Sequence, residues 1–234
     1  MAVAVEVETS LSCEWQVTEY IKLFDIINEE YTSYCMRWNE NLTNSYNLGK
    51  VCACDIYNLE SGIDIEFKKY MDSFIDGLLM LNIKILYAFN KLNPDFKIRT
   101  RIKEPQSILD KVDKKSKSND GKYPVNKFLN DLLGIRIVDS NYKENIGIII
   151  GFLKSTEYKV RHMIRIKEEY KGYHIYFKQE KNIYFPIELQ VWDSEDEINN
   201  YKSHKMYKED YISWQKKYKK VKWKRWLICI NIYY

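Results

Sequence analysis

The charged stretch KKSKSNDGK, residues 114–122, separates two hydrophobic periodicities. Before it, apolar side chains recur every three or four residues. EYIKLFDIINEEY places Ile21, Phe24, Ile27 and Tyr31 along one helical stripe, and IEFKKYMDSFIDGLLMLNIKILYAF keeps such a stripe for six or seven turns. The polar NENLTNSYNLGKV lies between them as a loop. Pro105 suits the first turn of a short helix over residues 104–115. After the charged stretch the period drops to two. LLGIRIVD, YKVRHMIRI, GYHIYFK and YFPIELQVW are predicted strands, YKENIGIIIGFLKS a helix, and SEDEINNYKSHKMYKEDYISWQKKYKK a return to helix. The expected class is α+β: a helical N-terminal region, residues 1–96, leads into a mixed β-sheet of four to five strands flanked by helices, residues 97–211. A basic aromatic segment, residues 212–234, packs on or extends from that core.

Composition narrows the class. With 234 residues, 45% hydrophobic and 30% charged, the chain can bury a sizeable core and is neither disordered nor fibrous. No run approaches the roughly 18 apolar residues of a membrane span. MAVAVEVETSLSCEW has no basic leader region and carries Glu6 and Glu8 in its apolar run, so no signal peptide is expected. The five cysteines include no CxxC pair, and only three histidines accompany them. Reduced thiols in a cytoplasmic protein are expected rather than a zinc site.

Within FPIELQVW, residues 185–192, Ile187, Leu189 and Val191 point one way and Glu188 and Gln190 the other. A carboxylate in the middle of a sheet is costly without a partner. Four other polar clusters could supply its context. RIKEPQSILDK offers Arg101, Lys103, Ser107 and Lys111 around a helix N-terminus, a ready anion site. DLLGIR contributes Asp131 at a strand edge and Arg136 within the strand. EYKGYH supplies Tyr170, Lys171 and His174, and HKMYK sets His204 and Lys208 one helical turn apart.

In order and spacing these clusters resemble the synthetase domain of the RelA/SpoT family, the ATP-dependent pyrophosphokinases that make (p)ppGpp. The family pattern R-x-K-x-x-x-S-I-x-x-K, D-x-x-G/A-I-R, G-Y-x-S/A/G-x-H, E-x-Q and H-x-x-Y-K is met by RIKEPQSILDK, DLLGIR, EYKGYH, ELQ and HKMYK, about half the chain. The register used places Tyr170 at the family's tyrosine, Gly172 at its small residue and His174 at its histidine. Glu169 then stands where the family has glycine, and Ile166 where it has lysine.

The resemblance implies a nucleotidyltransferase-like synthetase fold and a transfer of the β,γ-pyrophosphate of ATP to the 3′-hydroxyl of GDP or GTP. It assigns Asp131 and Glu188 to Mg²⁺ and catalysis, with Glu188 also helping to deprotonate the attacking hydroxyl. Arg101 and Arg136 would sandwich the adenine, and Lys103, Ser107 and Lys111 would hold the ATP phosphates. Tyr170 would stack on the acceptor base, with Lys171, His174, Gln190, His204 and Lys208 completing the acceptor site. Two acidic groups sharing a metal would repel, so neutralising either is expected to leave thermal stability unchanged or raised. No His-Asp dipeptide occurs, so no hydrolase site is expected.

Two alternatives stay open. A toxic branch of the family transfers pyrophosphate to the 3′ end of tRNA under the control of an antitoxin, and KKYKKVKWKRW, residues 216–226, is a plausible phosphate-and-stacking surface. The other is a non-catalytic nucleic-acid or partner-binding module on the same fold. Self-association into a homo-oligomer is a further expected partnership.

Overall fold

The computed structural model describes residues 2–92 and 97–203, with side chains described from Thr18 onward. His204, Lys208 and the basic aromatic segment lie outside the described residues.

The architecture is α+β, with a mixed five-stranded sheet and a helical N-terminal region. Helix α1 (Ala2–Glu40) is followed by a short helix, α2 (Ala53–Ile56), and a two-stranded hairpin of β1 (Tyr57–Asn58) and β2 (Gly62–Ile63). Then come α3 (Ile65–Asp76), α4 (Leu78–Leu92), β3 (Lys97–Ile102), α5 (Pro105–Ser116), α6 (Val125–Phe128), β4 (Leu133–Asp139), α7 (Tyr142–Ser155), β5 (Val160–Lys167), β6 (Tyr170–Phe177) and β7 (Ile187–Asp193). Residues 197–203 are helical again. The sheet order is β3-β4-β7-β6-β5, antiparallel except for the parallel pair β4 and β7. The hairpin and α2 were not expected within the helical N-terminal region. Their residues form elements too short to register as a period.

The expected single helix over residues 65–89 is broken at Gly77. A Cβ there would lie 2.5 Å from Cε2 of Tyr34, so the ring on α1 occupies the space a side chain would need. The Tyr34 hydroxyl also takes the Phe74 carbonyl as its acceptor. A side chain competing for a helical carbonyl beside a glycine is a recognised cause of a break.

Alternation along the strands gives the sheet two unlike faces. On one, Leu133, Ile135 and Ile137 of β4, Tyr173, Ile175 and Phe177 of β6, and Ile187, Leu189 and Val191 of β7 are all buried. They share one core with Tyr20, Phe24, Ile27 and Tyr31 of α1 and Ile149 and Leu153 of α7. Phe24 stacks against Phe152 and tilts against Phe177, with ring centroids 6.0 and 6.4 Å away. Each such ring contributes roughly 2–3 kcal/mol over an exposed one. The N-terminal helices are therefore part of the sheet's core. The second face carries the charge.

Candidate active site

Register places the charged side chains of the second face in rows. Arg101 of β3 lies opposite Gly134 of β4, which lies opposite Glu188 of β7, which faces Tyr176 of β6. In the next row Arg99, Arg136, Gln190, His174 and Met163 follow one another across the sheet. Arg161, Arg165 and Lys167 of the edge strand β5 share this face through their partners Tyr176, Gly172 and Tyr170.

Glu188 sits at the centre, 6% exposed. Its Oε1 is 2.8 Å from His174 Nδ1, and its Oε2 accepts from Gln190 Nε2 at 2.8 Å. Burial pushes this carboxyl up, but the hydrogen bond and charge of His174, helped by Gln190, outweigh it and hold Glu188 below its ordinary value. Gln190 is fixed in turn, because its Oε1 accepts from Arg136 Nε and Nη2 at 3.1 and 3.0 Å. Tyr170 Oη lies 2.7 Å from His174 Nε2, and Trp192 Nε1 donates to Tyr170 Oη at 3.2 Å. An indole N–H can only donate, so the Tyr170 oxygen accepts there while it also hydrogen-bonds with His174 Nε2. Because an ionised carboxylate only accepts, His174 Nδ1 is the donor to Glu188. Glu188 is tolerated in the sheet because a donor fills each of its oxygens.

Asp131 precedes β4, close enough to Glu188 for its charge to act there. Lys103 Nζ is 2.8 Å from its Oδ2 and Lys111 Nζ 3.0 Å from its Oδ1. Burial raises the Asp131 carboxyl, but the two ammonium groups overcome it and bring it down to about 2. Burial also pulls Lys103 below its ordinary value despite the pairing. Ser107 lies in the first turn of α5 and Lys111 one turn further on, so the expected helical pair is formed.

The structure thus brings Arg101, Lys103, Lys111, Asp131, Arg136, Tyr170, His174, Glu188 and Gln190 to one face and its Asp131 end. Two expectations need correction. Tyr170 is not an exposed stacking ring: it is buried, edge-on to Trp192, with its hydroxyl engaged by His174. Lys171 is on the opposite face, because β6 alternates and Tyr170, Gly172 and His174 take the site side. There Lys171 Nζ lies 3.6 Å from Asp196, and its backbone is bracketed by Asn200. The alternation puts Tyr173 and Phe177 in the core, so the register through Tyr170 and His174 is the one that faces Glu188.

Sequence reasoning missed Trp192 and Tyr201. Arg136 lies over the Trp192 ring, 3.7 Å from its centroid, and Tyr201 meets Trp192 edge-on at 5.2 Å. Gly172 makes room for Tyr170 and Trp192, since a Cβ there would be 2.8 Å from Tyr170 Oη and 3.0 Å from the indole. The two-residue offset of Trp192 from Gln190 was the available signal.

The paired carboxylates suit a hard cation. Both are held below their ordinary values, and ionised carboxylate oxygens are the ligands such an ion prefers. Among the described residues no group of three or more His, Cys, Asp or Glu is arranged to hold a metal alone. Magnesium commonly needs only one or two carboxylates and completes its shell with phosphate and water.

Residues 100–212 match the model of the region found in RelA/SpoT proteins. These residues are a RelA/SpoT-family domain. Comparison with curated proteins gives no match. Among solved structures, the domain is similar to the small alarmone synthetase 1 from Bacillus subtilis bound to its product pppGpp, at 18% identity over 61% of this chain and 77% of that one, with a TM-score of 0.35. A GTP pyrophosphokinase family protein from Streptococcus pneumoniae matches at 16% identity over 63% and 79% of the two chains, TM-score 0.43. The Bacillus subtilis synthetase bound to AMPCPP matches at 17% identity over 63% and 82%, TM-score 0.35. Among the described residues no helix is long and apolar enough to cross a membrane.

Proposed function

We propose that this chain, a pyrophosphotransferase by its domain, moves the β,γ-pyrophosphate of ATP to the 3′-hydroxyl of GDP or GTP, releasing AMP. The observation that carries this reading is Glu188: a buried carboxylate kept ionised by His174 and Gln190 on a sheet face lined with arginine. Such a face offers little to an apolar or cationic substrate and much to a nucleotide.

Lys103 and Lys111, converging at Asp131, would pass from the carboxylate to the ATP phosphates, with Ser107 at the α5 N-terminus beside them. Asp131 and Glu188 would hold Mg²⁺, which neutralises charge on the transferring phosphates. The acceptor oxygen attacks the β-phosphorus, the bond to the α-phosphate oxygen breaks, and Glu188 takes the hydroxyl proton. A carboxylate held low is a weak base, but phosphoryl transfer through a loose transition state demands little deprotonation before attack. Glu188 orients the hydroxyl first and accepts its proton late.

Arg136 and Arg101 would present guanidinium planes to the adenine. Arg101 is exposed on β3 and Arg136 half-buried beside it on β4. Lysine keeps the charge and loses the plane, so Arg136→Lys and Arg101→Lys are each expected to weaken ATP binding by about tenfold. Equilibrium dialysis with labelled ATP measures this, and indifference to both substitutions would leave the adenine sandwich unsupported.

One observation favours the tRNA acceptor as a second reading. Beyond Arg165, the edge strand carries Arg161, and Lys127 and Arg161 lie near enough to Lys178 to lower its pKa alongside its burial. That cationic run exceeds the needs of a single nucleotide. Incubation with γ-labelled ATP and GDP, GTP or bulk tRNA, at low and high salt, decides between them. We expect label on the guanosine nucleotide, with little change when Lys219, Lys220, Lys222 and Lys224 are neutralised. Label on tRNA alone, falling steeply with salt and with those lysines, would reverse the assignment.

A further inference from the structure

We infer that Trp192 is a positioning residue that couples the donor-base arginine to the reacting carboxylate. The inference rests on the donor site proposed above. Trp192 has no exposed surface and touches both halves of the site at once. One face of its ring carries the Arg136 guanidinium at 3.7 Å, while its N–H reaches the Tyr170 hydroxyl at 3.2 Å.

The contacts differ in kind. The stack fixes the plane of Arg136. A guanidinium held on an indole, with Nε and Nη2 both tied to Gln190 and Tyr201 beside it, presents a fixed plane at the site. The hydrogen bond fixes a position. It holds the Tyr170 hydroxyl against His174 Nε2, and the other nitrogen of that ring meets Glu188. Tyr201 closes the ring edge-on, with Arg99 5.0 Å from the Tyr201 ring centroid. Smaller aliphatic side chains at 192 would remove the ring against which the plane of Arg136 is set. Gly172 is the matching accommodation on β6, since any side chain there would displace the indole.

The two roles are separable by substitution in the full chain. Trp192→Phe keeps an aromatic face and deletes the N–H; Trp192→Leu deletes both. ATP affinity by equilibrium dialysis should stay within about threefold of wild type in Trp192→Phe and weaken about tenfold in Trp192→Leu. Arg136→Lys added to Trp192→Leu should cost less than about twofold more, because the plane that Arg136 offers has already been lost. Turnover should show the other role. Trp192→Phe should lower kcat by about tenfold with little change in the KM for ATP, and Tyr170→Phe should give the same split without adding to it.

ATP affinity in Trp192→Leu equal to wild type, or fully additive losses with Arg136→Lys, overturns the inference alone. A wild-type chain that binds no ATP overturns the donor-site reading, and this inference with it. Loss of both affinity and turnover in the conservative Trp192→Phe would mark Trp192 as packing and nothing more.

Discussion

Glu188→Gln should reduce pyrophosphate transfer by roughly a thousandfold or more while the chain still folds. The substitution preserves shape and removes the charge, which takes away a metal-binding oxygen and the group that orients the attacking hydroxyl, each worth several kcal/mol in comparable sites. The effect on stability runs against what the sequence alone suggests. Two carboxylates at one metal would repel, and losing one would be neutral or favourable. In the folded chain Glu188 is met by His174 and Gln190 and is held below its ordinary pKa in spite of burial. Glutamine offers one acceptor oxygen to two donors, so its amide N–H would face the Gln190 N–H if the oxygen served His174, and the histidine if it served Gln190. We expect a loss of about 1–3 kcal/mol in urea unfolding. Near-normal turnover of labelled ATP in this variant would sink the catalytic assignment.

The same contrast shows what the chain discloses before it folds. Helix α7 and the strands β4 to β7 were legible because each carries an unbroken period; the site residues Glu188, Gln190 and Arg136 fall within those strands, and Asp131 falls just before β4. The partners of Glu188 were not legible. His174 is fourteen residues away, and only the antiparallel register of β6 with β7 sets it beside Gln190 and within reach of the carboxylate. The assignment of Asp131 to a metal comes from the family resemblance. That two lysines, Lys103 just after β3 and Lys111 in α5, already neutralise it follows from a convergence of three segments, which no local pattern encodes. Tyr170 failed for a related reason: a tyrosine at a family position gives no sign of the tryptophan on the neighbouring strand that buries it. The break at Gly77 was missed because its cause is a ring on another helix.

Asp131→Asn should abolish transfer and also cost stability, and the pH dependence of that cost identifies its source. The folded carboxyl is brought from its ordinary 3.8 to about 2, chiefly by Lys111 and Lys103 acting against burial. A depressed pKa means stability that is fully present above about pH 4 and lost as pH falls through the folded value. At neutral pH the pairing contributes about 2 kcal/mol by this linkage. The asparagine variant also leaves two ammonium groups facing each other, one largely buried. We therefore expect it to be roughly 2–4 kcal/mol less stable near pH 7, with the gap to wild type closing between about pH 4 and pH 2. Denaturant unfolding at a series of pH values reads this directly. Adding Lys103→Met to Asp131→Asn should recover part of the stability, since the uncompensated charge goes, and none of the activity, since the metal-binding oxygens and a phosphate contact are still missing. A gap that persists to pH 2 would mean that the lysines do not hold Asp131. Recovery of transfer in the double variant would mean that the Asp131 carboxylate takes no part in the chemistry.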